Sequence, residues 1–230
     1  MRQIILDTET TGLEAHLGHR VVELACLEMV DRRVSKNTFH RYLNPQRAID
    51  AGAENIHGLS LDFLSDKPLF ADIADAFISF VEGAELIIHN APFDVGFLNA
   101  ELTRVNKPRI ETLCKITDTL KMARELNPGK KSNLNALCER YAVDNTARTF
   151  HGALLDAQLL AEVYVAMTRG QESLGIAHAG EGAGAAADGL QKYPRPTNLK
   201  VLPAVADELV AHAAMIDGIG SAAIWKKQST

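Results

Sequence analysis

The sequence is short of the features that mark several protein classes. Among its 230 residues there are three cysteines, Cys26, Cys114 and Cys138, an odd number without zinc-site or redox-pair spacing. That excludes a disulfide scaffold and fits a reduced, cytoplasmic chain. Long apolar runs are missing too. The first, residues 4–6, meets Asp7 at once, so no signal peptide is expected, and none approaches a membrane span. Aromatic residues make up 6%, with a single tryptophan, Trp225. Positive charge is not in excess: 24 Lys and Arg stand against 29 Asp and Glu, a net charge of −5. That disfavours an independent duplex binder, which needs a basic surface.

What is present suffices for a core. Apolar residues make up 47% and charged residues 23%, close to the globular average. The chain divides near residue 170. Residues 177–189 hold six Ala and four Gly and no large apolar side chain, a composition that reads as a flexible linker. Beyond it, residues 190–230 carry Leu199, Val201, Leu202, an apolar run at helical spacing over 206–216, and Trp225. So short a segment cannot enclose its own core and is expected to dock on a partner.

Within 1–170, apolar patterning predicts strands at 3–6, 21–30, 38–43 and 86–89. Helices are predicted at 70–81, 93–105, 117–126, 134–141 and 153–167. The polar turn at 31–33 makes the second and third strands antiparallel. Thr117 and Ser132 are the expected N-caps. The fold class is therefore α/β, a mixed sheet flanked by helices.

The chemistry lies in acids placed where a core belongs. Asp7 and Glu9 follow the first strand at i and i+2, so on an extended chain they face the same side. Asp94 sits in the apolar start of the helix at 93–105, and Asp156 among Leu154, Leu155, Leu159 and Leu160. A bare carboxylate in such surroundings costs several kcal/mol unless it protonates or meets a cation. Four carboxylates from three segments point to a shared site for Mg²⁺ or Mn²⁺, which favour oxygen ligands. Two such ions about 4 Å apart suit in-line phosphoryl displacement by water. His151, in the loop entering the last helix, is the candidate general base.

The segments Asp7-Thr-Glu9-Thr-Thr-Gly12, His89-Asn-Ala-Pro-Phe-Asp94 and His151-x4-Asp156 resemble, in order and spacing, the three motifs of the DEDDh family of 3′→5′ exonucleases. The opening Met1-Arg2-Gln3-Ile4, Asn55-Ile-His57-Gly58, Cys114-Lys115-Ile-Thr-Asp118 and the Trp225-containing tail extend the likeness to the proofreading subunits of bacterial replicative polymerases. The resemblance implies a ribonuclease-H-like fold over 1–170. It carries over Asp7, Glu9, Asp94 and Asp156 as ligands of two divalent cations, Mg²⁺ or Mn²⁺, with His151 as base. It also implies that Thr10, Thr11, Gly12, His57 and Phe93 lie near the 3′-terminal nucleotide, the glycine allowing close approach. Asn90 would organise the loop before Asp94. The partners implied are a DNA 3′ end, single-stranded or frayed, and the polymerase alpha subunit, bound by the tail at 190–230. Residues 171–176, Gln-Glu-Ser-Leu-Gly-Ile, resemble a sliding-clamp peptide with isoleucine in place of the usual aromatic. Some relatives also bind a small third subunit on the nuclease domain.

Residues 104–131 carry eight basic and three acidic side chains, a net +5 in an otherwise acidic chain. They could meet the phosphates of a single strand, or form solvated helix faces. Two other readings stay open on sequence alone: an enzyme of the same fold trimming RNA ends, and a non-catalytic adaptor tethering clamp and polymerase.

Overall fold

A computed structural model describes residues 2–146, 148, 150–169 and 203–219, which fall into two units divided at Gly175/Ile176. The residues expected to bind a clamp (171–176), the linker (177–189), and the tail at 190–202 and 220–230 with Trp225 lie outside the described residues.

The first unit is built on a five-stranded sheet of order β3-β2-β1-β4-β5. Its strands are β1 (Arg2–Thr10), β2 (Val21–Val30), β3 (Arg33–Tyr42), β4 (Glu85–Ile88) and β5 (Lys115–Asp118). β1 pairs antiparallel with β2, as β2 does with β3, the two hairpin strands turning through Asp31 and Arg32 at positive φ. β1 and β4, and β4 and β5, pair parallel, with Leu6 opposite Ile88 and Ile88 opposite Asp118. The sheet is mixed, as the sequence predicts.

The helices are α1 (Ala51–His57), α2 (Leu61–Leu64), α3 (Phe70–Val81), α4 (Ala91–Arg104), α5 (Ile110–Leu113), α6 (Thr119–Leu126), α7 (Leu134–Tyr141) and α8 (Ala153–Met167). The strand period of two sorts β1 between two cores. Ile4 and Leu6 face α3 and α4, packing with Phe70, Phe77, Phe97 and Leu98. Ile5 faces the opposite way, into a core with Leu137, Ala157 and Leu160 of α7 and α8. Each fully buried leucine or phenylalanine contributes about 1.5–3 kcal/mol, so this sheet is a rigid platform.

Several boundaries differ from expectation for physical reasons. β1 runs four residues past the expected end at 6, because β2 keeps its backbone paired as far as Thr10 although its side chains turn polar and the pairing with β4 ends at Leu6. Asp7 and Glu9 are therefore inside the strand rather than after it. β3 starts at Arg33 and not 38, since hairpin pairing tolerates its exposed, polar side chains. β5 was unforeseen: four residues with no alternation of their own, held by β4. Thr117 is in that strand and caps nothing. Asp118 caps α6, accepting from the backbone N–H groups of Leu120 and Lys121. Likewise Asn133, not Ser132, caps α7 by accepting from Ala136 N.

Among the described residues of the second unit there is one helix, α9 (Ala206–Ile219), beginning where helical spacing predicts and running three residues further. Leu209, Val210, Met215 and Ile219 on it are exposed. No helix among the described residues is long and apolar enough to cross a membrane.

Candidate active site

The alternation that buries Ile5 against α8 also aims Asp7 and Glu9 towards that helix, two and four residues further along the same face. Asp156 comes from the first turn of α8, 4% exposed. Thr8, on the other face, donates its hydroxyl to Asp94 Oδ1 at 2.7 Å, fixing the first turn of α4. Asn90 takes a left-handed conformation, φ 68°, at the turn into α4 and donates its N–H to Asp118 Oδ1. The strand end and two helix starts thus bring all four predicted carboxylates to one place.

They repel one another there. Burial, then the charges of Asp94, Glu9 and Asp156, push Asp7 well above the usual carboxylate range, against the pull of Arg148. Glu9 is raised to about 8, first by burial and then by Asp156, Glu23 and Asp94. Asp94 is raised to about 7 by burial, although hydrogen bonds from Thr8 and the backbone oppose it. Glu9, His151 and Asp156 each offer a donor atom, all within 4.8 Å of one another.

Arg148, which sequence reading missed, is the cation among them. Its Nε donates to Asp156 Oδ1 at 2.5 Å and its Nη2 to Asp156 Oδ2. Nη1 donates to Asn135 Oδ1. Nη2 also lies 2.9 Å from His151 Nδ1. Arginine can only donate, so Nδ1 accepts and the neutral ring carries its proton on Nε2. The available signal was a lone arginine three residues before the motif histidine. His151 is half-exposed in the loop before α8, as expected, and its backbone N–H donates to Ile56 O of α1. Burial and Arg148 lower its pKa, while Asp156 raises it.

Beside the carboxylates lies a cleft of about 490 Å³, lined by Glu9, Thr10, Gly12, His57, Phe93 and His151 among others. Five of these six are predicted site residues other than ligands, or the base. Leu13, Asp50 and Ile56 also line it and were not foreseen; the last two belong to α1 and its N-cap, and that helix has no strong periodicity in sequence. Thr11 does not line the cleft: it is fully buried, bonded to His19 Nδ1 and to the N–H of Arg20. The need for glycine at position 12 also has a local cause, since a Cβ there would stand 2.3 Å from the His19 ring. His57 ends α1, and burial lowers its pKa. A second groove of about 640 Å³ shares Leu13 and Phe93 with this cleft and continues along α4.

A mixed sheet that gathers four carboxylates at the end of its central strand, beside a nucleotide-sized cleft, is the architecture of a nuclease, and the chain belongs to the exonuclease family (RNase_T), whose profile matches residues 4–164. Within that family its relatives are bacterial polymerase subunits. It is 46% identical to DNA polymerase III subunit epsilon of Escherichia coli K12 over 236 aligned positions, covering 98% of this chain and 97% of that protein. To the protein of the same name from Rickettsia felis it is 53% identical over 175 positions, 75% of this chain and 76% of that one. Among solved structures, exonuclease X in complex with 5′ overhanging duplex DNA superposes with a TM-score of 0.57 at 26% identity, covering 74% of this chain and 92% of that one. The zinc-bound E. coli ExoI–ssDNA complex, at 18% identity and a TM-score of 0.66 over 74% of this chain and 41% of that one, shares the fold.

Proposed function

We propose that this exonuclease removes mispaired 3′-terminal nucleotides from DNA as the proofreading subunit of a replicative polymerase. The observation that carries this reading is the likeness to epsilon subunits along nearly the whole chain, tail included, together with four carboxylates and a histidine converging beside one cleft. Four acids against one guanidinium leave a negative excess that divalent cations would balance, and the all-oxygen carboxylate set suits Mg²⁺ or Mn²⁺. Asp7, Glu9, Asp94 and Asp156 would hold them. When bound, two such ions activate water and stabilise the charge that develops on the scissile phosphate.

The chain's own residues supply the rest. The cleft floored by Thr10 and Gly12 and walled by Phe93 and His57 would take the terminal nucleoside. A mispaired end enters it more often because it frays more readily. His151, at the cleft mouth, would take the proton from the attacking water. For that, Nδ1 must be freed from Arg148 or the ring must change tautomer, and its place on a loop rather than inside α8 allows the movement. The residues at 190–230 would bind the polymerase alpha subunit, and residues 171–176 a sliding clamp.

The test is release of mononucleotides, in Mg²⁺, from matched and mismatched primers, with the polymerase subunit present. Faster release from the mismatched end is expected, and it should depend on residues 190–230. His151→Ala should lower turnover by about 10²–10⁴, the size of a general-base contribution. Equal rates on both primers, or an unchanged rate without His151, would defeat the corresponding part of the reading.

A further inference from the structure

The basic stretch at 104–131 does not act as one surface. Three of its eight cations are neutralised by acids: Lys107 by Asp75, Arg109 by Glu111 at 2.9 Å, and Lys115 by Glu85 at 3.2 Å. Three others, Arg124, Lys130 and Lys131, are exposed, and no acidic side chain among the described residues pairs with them. These three line one cleft of about 590 Å³, with His89, Asn90 and Ser132, and no acid lines it.

The cleft is a built feature. The turn between α6 and α7 bends through Gly129 at φ 73°, and Lys130 N donates to Asn127 O. Ser132 Oγ donates to Lys130 O at 3.1 Å, and Arg140 Nη2 to Lys131 O at 2.7 Å. Arg140 Nη1 is buried without a hydrogen-bond partner, adding a fourth positive charge beneath the turn. Like charges gathered and pinned in this way repel, and folding gains nothing from them unless an anion arrives.

The cleft also leads to the carboxylates by two routes. Asn90 in its wall opens α4, one turn before Asp94. A neighbouring cleft, of about 450 Å³, shares Lys131 and Asn133 and includes Asn135, which accepts from Arg148, the partner of Asp156. The basic cleft is thus joined to the carboxylates through Asn90 on one side and, past Glu139 in the second cleft, through Asn135 and Arg148 on the other.

We propose that Arg124, Lys130 and Lys131 form a phosphate-binding track for the strand under digestion, holding its sugar-phosphate backbone beyond the terminal nucleotide. This rests on the nuclease reading above and adds to it a second contact region, separate from the nucleotide cleft. It also explains how an acidic chain with net charge −5 meets a polyanion: the positive charge is concentrated where the strand passes.

The experiment uses the full chain with Arg124→Gln, Lys130→Gln and Lys131→Gln, singly and together. Binding of a thymidine 12-mer is read by fluorescence anisotropy in EDTA, over a range of salt. The triple variant should lower the slope of log affinity against log salt by about 2, at roughly 0.7 per phosphate contact on a single strand, and bind roughly tenfold to hundredfold more weakly at 0.1 M salt. Lys107→Gln, whose charge is already paired, should leave the slope within error. With Mn²⁺, the loss should grow with length from the nitrophenyl ester of thymidylate, which has no further phosphate, to the 12-mer. An unchanged slope overturns the proposal. So does equal loss on the ester, a loss confined to duplex substrates, or weaker inhibition by thymidylate with normal 12-mer binding, which would mark a product site. If wild-type protein binds the 12-mer with the expected slope yet releases no nucleotide in Mg²⁺, the nuclease reading fails and the track stands.

Discussion

Two sets of carboxylates are buried or partly buried in this domain, and they are treated in opposite ways. Glu101, 2% exposed, receives Arg20 Nε and Nη2 at 2.6 and 2.8 Å and the N–H of Val21 at 3.2 Å. Glu85 accepts from Gln3, Thr117 and Lys115, and these bonds outweigh burial so that its pKa falls. Glu23 accepts from His40 and from the N–H of Ala153, the first residue of α8. Asp7, Glu9, Asp94 and Asp156 crowd together instead, with one guanidinium, Arg148, bonded to Asp156 and pulling on Asp7 and Glu9, while Asp94 has the Thr8 hydroxyl. The acids that serve structure are each given neutralising or donating partners by the fold, whereas the cluster that the proposed function assigns to cations keeps more negative charge than its one guanidinium offsets.

The sharpest way to break this contrast is to neutralise the short-changed pair. Asp7→Asn with Glu9→Gln should reduce mononucleotide release to background. The same double variant should melt, in chelator, no lower than wild type, because it removes repulsion rather than an ion pair. Wild-type hydrolysis by this protein would remove the pair from the site. A lower melting point would show that the two acids are structural after all.

The partnered set should answer in reverse. Glu101→Gln leaves Arg20, only 17% exposed at its side chain, without its carboxylate. Breaking a buried pair from one side costs about 3–5 kcal/mol. Urea unfolding measures it, and a cost below about 1 kcal/mol would dissolve the distinction. The nuclease activity per folded molecule should persist, since Glu101 contacts none of the four site carboxylates.

Sequence made one of these sets readable and hid the other. Asp7, Glu9, Asp94 and Asp156 stand out because acids interrupt apolar runs, and the strand period alone puts the first two on one side. Glu101 and Glu85 were passed over because their partners are distant in sequence: Arg20 is 81 residues away, Gln3 82. Arg148 was missed for a related reason, as its role depends on a loop folding back onto α8. Element cores were legible wherever periodicity was strong, as in α3 and α8, whose limits match the expected 70–81 and 153–167. What failed was structure imposed by a neighbour: the polar end of β1, the start of β3 and all of β5 are strands because something pairs with them. Caps moved by one residue where two polar side chains adjoin, Ser132 with Asn133 and Thr117 with Asp118, since only geometry decides which oxygen reaches the free N–H groups.

Acidity offers a third probe, with opposite signs for Glu9 and Asp94 on one hand and Glu85 on the other. Glu9, near 8, and Asp94, near 7, stay protonated in the metal-free fold after the unfolded chain has ionised. The folded state then binds more protons, so stability falls as pH rises from about 4.5 to about 8. Between pH 6 and 7 the two groups together should cost roughly 2 kcal/mol, given about 1.4 kcal/mol per unit for each fully shifted group. Glu85, with its lowered pKa, contributes stability above its unfolded value that is lost as pH falls through the folded one. Unfolding curves in chelator should therefore decline on both sides of a maximum, and Mg²⁺ should flatten the alkaline side alone. A curve that Mg²⁺ leaves unchanged would mean the raised acids do not belong to a cation site.

The smallest effects make the closest comparison, because a threonine hydroxyl serves an acid in each set. Thr117 Oγ1 donates to Glu85 Oε1 at 2.6 Å, and Thr8 Oγ1 to Asp94 Oδ1 at 2.7 Å. Valine removes either hydroxyl with little change of shape. At Thr117 the acid loses a bond it needs while charged, so about 1 kcal/mol of stability should go and cation affinity should not move. At Thr8 the acid can answer by taking up a proton, since burial already holds it near 7. Thr8→Val should therefore cost less stability than Thr117→Val at pH 7 but raise the Mn²⁺ concentration needed for half-saturation, read by calorimetry. Equal stability losses with unchanged Mn²⁺ binding would show that both hydroxyls support structure only, and that Asp94 belongs with the partnered acids.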